Sequence, residues 1–122
     1  FWIGNAWEGT VSVVDPAAAT VVAHTERLCG FPVALSPDND GRVLVACFGS
    51  AELIAIDRRN YALTRRYSLD GQPLNLLVHP DRSIVYVSLP RENAVAEIDL
   101  ETGGVVRKIP VGMEPDGLRW GR

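Results

Sequence analysis

The sequence predicts an all-β fold of about three four-stranded antiparallel sheets, and three observations carry that prediction. A pattern of apolar strand plus aspartate recurs three times, the strands are short and rich in Val, Ile and Tyr, and no segment sustains a helical period. The recurring strands are Thr10-Val11-Ser12-Val13-Val14-Asp15, Glu52-Leu53-Ile54-Ala55-Ile56-Asp57 and Ala94-Val95-Ala96-Glu97-Ile98-Asp99, spaced 42 residues apart in both steps. Ser36-Pro37-Asp38 answers to His79-Pro80-Asp81 at a spacing of 43, and Gly30, Pro73 and Pro115 each open an apolar strand at spacings of 43 and 42. Three markers sharing one period define a structural repeat.

One repeat, read in order, justifies each element. Leu74 to Val78 is a first strand, followed by a turn at His79 to Arg82. Ile84 to Leu89 is a second, with a loop at Pro90 to Asn93; Ala94 to Leu100 is a third, with a turn at Glu101 to Gly104; Val105 to Val111 is a fourth. Gly, Pro, Asp or Asn bounds every strand. Four strands every 40–45 residues or so form the unit of a β-propeller blade. The repeats divide as 1–30, 31–72 and 73–114, with 115–122 starting another. The chain opens on a second strand, Trp2 to Asn5, and closes on a first strand, Asp116 to Trp120. Propellers have roughly 4–8 blades, so three require either a second copy or further blades in a longer polypeptide. The opening at mid-strand favours the longer polypeptide.

Composition narrows function by exclusion. The 122 residues are 47% hydrophobic and 22% charged with a formal net charge of −3, which suits a globular core. Basic residues are scattered, without the cationic face that nucleic acid requires. No apolar run reaches the roughly 18 residues that span a bilayer.

At these residues the chain resembles the YVTN-type β-propeller repeat family, built on V-Y-V-T-N, T-V-S-V-I-D and G-x-x-P-x-G-V-A-V-S-P-D-G. Thr10 to Asp15 departs from the second element at one position. Trp2-Ile3-Gly4-Asn5 and Val85-Tyr86-Val87-Ser88 resemble the first, and Leu35 to Asp38 with Val111 to Leu118 resemble the third. The resemblance implies a bacterial or archaeal propeller, often periplasmic or on the cell surface, with binding roles. Related propellers include lactone hydrolases and periplasmic redox enzymes, so an enzyme part or a structural surface protein is the alternative.

The residues favour a non-catalytic segment that presents loops for ligand or protein binding. No nucleophile elbow, phosphate loop, haem-attachment motif or metal spacing is present, so no cofactor is expected. Binding residues are expected on the face formed by the loops leading into first strands and those joining second to third strands, and along the central channel: Asn5, Trp7, Glu8, Asn75, Arg91, Glu92, Asp116 and Arg119, with Arg27, Phe31, Asn93 and Glu114 nearby. Trp7, in a Gly-flanked loop beside charges, is the aromatic most suited to recognition, with packing on a neighbouring loop as the competing and preferred reading.

The remaining polar residues have structural readings. Asp15, Asp57 and Asp99 cap turns, as does His79. Arg58, Arg59, Arg65 and Arg66 form a solvated outer edge that discourages strand addition. Cys29 and Cys47 fall close enough for a disulfide, but two buried free thiols are the preferred reading. Glu97 replaces the apolar residue of other repeats and needs a partner, a bulge that turns it outward or a solvent-exposed blade face, of which the last two are preferred.

Overall fold

The computed structural model describes residues 2–111. Eleven strands form three antiparallel sheets: β1 (Trp2–Asn5), β2 (Thr10–Asp15) and β3 (Thr20–His24) in the first; β4 (Pro32–Pro37), β5 (Arg42–Cys47), β6 (Glu52–Asp57) and β7 (Leu63–Ser68) in the second; β8 (Leu76–Val78), β9 (Ile84–Leu89), β10 (Ala94–Asp99) and β11 (Val105–Pro110) in the third. Within each sheet strands pair in chain order, because each connection is a short hairpin. The final strand expected at Asp116 to Trp120 lies outside the described residues.

Alternation puts two apolar faces on the second sheet. Val43, Val45, Cys47, Ile54 and Ile56 pack toward Val11 and Leu28; Leu44, Ala46, Leu53, Ala55 and Tyr67 pack toward Val85, Val87, Ala96 and Ile98 of the third sheet. Buried on both faces, β5 and β6 read as nearly continuous apolar runs. The outer strands β3, β7 and β11 are largely exposed by contrast, and β7 buries only Tyr67.

The repeated aspartates occupy like surroundings. Asp15 Oδ1 accepts from the amides of Ala17 and Ala18, Asp57 Oδ1 from Arg59 and Asn60, and Asp99 Oδ1 from Glu101 and Thr102. The Arg59 amide holds the Asp57 carboxyl below its ordinary pKa, with help from Asn60 and the Arg59 charge. His79 caps its own turn, Nδ1 accepting from the Asp81 amide at 3.0 Å.

The basic group corrects its expected role. Arg65 Nη1 donates to the carbonyls of Leu100 and Glu101 on the third sheet, and Arg66 Nη2 donates to the Leu28 carbonyl at 2.7 Å while Nη1 pairs with Glu52. These two arginines tie neighbouring sheets together, and only Arg58 and Arg59 remain as a solvated rim.

Glu97 also departs from expectation. A register shift does follow it on β10, yet the residue is only 8% exposed, and Arg107 compensates it through an Nε–Oε1 contact of 2.9 Å. A partner, rather than outward rotation, resolves the burial cost.

Candidate functional site

The site is a cluster of three loops: Ala6–Gly9 between β1 and β2, Thr25–Phe31 between β3 and β4, and Phe48–Ala51 between β5 and β6. The middle loop is held from both sides. Leu28 donates its amide to the Gly9 carbonyl at 2.7 Å, and Phe48 and Gly49 donate theirs to the carbonyls of Phe31 and Gly30, each at 2.9 Å. Gly9 has φ +73°, and a side chain there would strike the Cys29 carbonyl, so this approach requires glycine.

A covalent tie completes the base. Cys29 and Cys47 form a disulfide with Cα atoms 6.2 Å apart, which overturns the expectation of two free thiols. The register explains it: Pro32 pairs with Cys47 across β4 and β5, bringing the end of the middle loop over the end of β5. Such a bond persists in an oxidising, non-cytoplasmic compartment.

On this base stand three rings. Trp7 meets Phe31 edge-to-face, with centroids 5.1 Å apart and planes at 86°, and Phe31 meets Phe48 at 6.3 Å. Phe31 has φ +56°, a left-handed conformation that is costly for a bulky residue and is maintained by the surrounding bonds. Trp7 itself is 88% exposed. Arg27 donates to the backbone carbonyl of Glu8, the residue after Trp7, at 3.3 Å. The arrangement is an exposed indole seated edge-to-face on Phe31, suited to recognition.

The other expected residues divide into groups. Glu8 lies beside Trp7, and its carboxylate accepts from Thr10 Oγ1 at 3.3 Å. Asn5 is engaged below the loops, donating to Thr10 Oγ1 and Ser12 Oγ, while Ser12 Oγ lies 2.9 Å from His24 Nδ1. Asn75, at the third sheet, accepts its neighbour Leu76's amide through Oδ1 at 2.9 Å. Arg91 and Glu92 lie in a 3-10 turn, Pro90–Glu92, where Glu92 pairs with Lys108 at 2.8 Å. Asp116, Arg119 and Glu114 lie outside the described residues. Phe48 was not among the expected residues; its place after Cys47, in a loop of the same class as that of Trp7, was the available signal.

The fold and this loop cluster define the chain as a β-propeller segment. The chain is similar to hydrazine synthase of Kuenenia stuttgartiensis, with a TM-score of 0.84 and 21% identity over 94% of this chain and 34% of that one. It is also similar to apo AztD from Citrobacter koseri, with a TM-score of 0.71 and 16% identity over 89% of this chain and 31% of that one. The chain therefore spans about a third of each of these two structures. No family model matches the chain, and neither does any curated protein. Likeness at these identities shows the fold alone.

Proposed function

We propose that the chain is a non-catalytic part of a longer propeller in the periplasm or at the cell surface, and that its loop face binds a ligand or protein around Trp7. The observation that carries this reading is an indole 88% exposed on a base locked by the Cys29–Cys47 disulfide. Leaving so large an apolar ring in water gives no folding advantage, whereas a preordered ring loses little entropy on binding. The disulfide supports an exported location, and the one-third coverage of the matched structures supports additional blades. Glu8, the residue after Trp7, and Arg27, bonded to the Glu8 carbonyl, would supply polar contacts, with Asn5 bonded to Thr10 and Ser12 at the foot of the loop. Asn75, Arg91, Glu92, Asp116 and Arg119 extend the binding face toward the third repeat and the channel.

The test is to identify what the protein retains from envelope extracts of its source cells, then measure that species' affinity for purified wild type and Trp7→Ala. The reading expects the substitution to weaken binding at least about tenfold, a typical hot-spot effect, with an unchanged melting temperature. Equal affinity for the two proteins would refute it.

A further inference from the structure

The contact between the second and third sheets shows how one blade grips the next. Arg65, opposite Ala55 on β7, sends Nη1 to the backbone carbonyls of Leu100 at 3.2 Å and Glu101 at 3.1 Å, in the turn between β10 and β11. The Tyr67 hydroxyl donates to the same Leu100 carbonyl at 3.0 Å. An arginine on an outer strand thus reads the third-to-fourth-strand turn of the following blade.

Arg107 stands in the same register on β11, opposite Glu97 as Arg65 is opposite Ala55. Its Nε is taken by Glu97, its side chain remains 64% exposed, and among the described residues its two Nη groups meet no acceptor. Arginine's planar fork leaves those donors aimed as a unit once Nε is fixed. On the same face, Val95 and Ile109 pair across β10 and β11 as Leu53 and Tyr67 do across β6 and β7.

We infer that this face of the third sheet, marked by Val95, Glu97, Arg107 and Ile109, docks a further blade of the same polypeptide, with Arg107 donating to two backbone carbonyls in that blade's third-to-fourth-strand turn. The inference rests on the longer-propeller reading above and adds the residue that makes the contact. Continuity with the neighbouring interface selects the occupant: the face repeats one that already holds a blade, down to the position of the arginine. Glu97 neutralises Arg107 within its own sheet and orients the guanidinium before docking.

Two measurements separate the inference from the reading beneath it. The first is maleimide labelling of Ile109→Cys in the 122-residue chain and in the full encoded polypeptide; protection only in the full polypeptide shows that a blade of that polypeptide covers the face. The second is the melting temperature of Arg107→Ala in a Glu97→Ala background, which restores the alanine of the second repeat and removes the intra-sheet pair. The expected result is a drop of about 2 °C or more in the full polypeptide and none in the 122-residue chain. Protection without that drop overturns the role of Arg107 and leaves the longer propeller standing. Labelling that persists in the full polypeptide overturns both. Concentration-dependent protection in the 122-residue chain assigns the face to a second copy and overturns the proposed occupant.

Discussion

The two sheet-to-sheet contacts in this molecule join similar repeats by different means. Between the second and third sheets lies the larger apolar cluster, with Tyr67, Leu53, Leu89 and Ile98 each at most 1% exposed. It is tied at the turn after β10 by Arg65 and Tyr67, and at the neighbouring first-to-second-strand turns by Asn39, whose amide donates to the His79 and Pro80 carbonyls. Between the first and second sheets the cluster is smaller among the described residues and includes both cysteines. At the register position of Arg65 and Arg107, the first sheet has Ala23. The forward arginine tie is therefore missing there, while a disulfide anchors the connecting loop and Arg66 reaches back to Leu28. Where apolar area and rim bonds are fewer, a covalent link supplies order.

Three variants break or sharpen that contrast. The largest effect is expected from Tyr67→Ala, which removes a buried ring and its bond to Leu100; a loss of about 3–5 kcal/mol should appear in urea denaturation, and a loss under 1 kcal/mol would show that the second contact does not depend on its aromatic core. Next is the double change Cys29→Ser with Cys47→Ser. Closing a loop with a sequence separation of 18 is worth about 3 kcal/mol, and hydrogen exchange should quicken first in β1–β3 and the Thr25–Phe31 loop. Uniform quickening across all three sheets would contradict a local role for the bond. The smallest is a gain: Ala23→Arg installs the missing tie toward the carbonyls of Arg58 and Arg59, which match Leu100 and Glu101 at the 42-residue spacing. We expect about 0.5–1 kcal/mol of stabilisation, and a neutral or negative change would show that the first contact lacks the geometry of the second.

Much of the blade plan was legible because its signals are local. Val, Ile and Tyr in alternation with Asp, Asn, Gly and Pro at the turns specify strand and hairpin without reference to distant residues. The turn roles of Asp15, Asp57, Asp99 and His79 follow from the same short-range logic. Arg65 and Arg66 were read as a solvated edge because their acceptors, Leu100 and Leu28, lie 35 and 38 residues away. Trp7 was legible as an exposed loop aromatic, but its support was not. Phe31 meets its ring, and Phe48 in turn meets Phe31 through the pairing of β4 with β5.

The sequence alone determined the repeat, the strand count within each repeat and the alternation that makes a sheet apolar on the faces it buries. Those properties depend on side-chain period and backbone preference over a few residues. Tertiary structure decided the pairing of Cys29 with Cys47, the partner of Glu97, the sheet-bridging work of the arginines and the aromatic base under Trp7. The disulfide and the Glu97 pair depend on strand register within one sheet, whereas the arginine ties and the Trp7–Phe31 contact depend on how the sheets pack. Neither is readable from side-chain period alone.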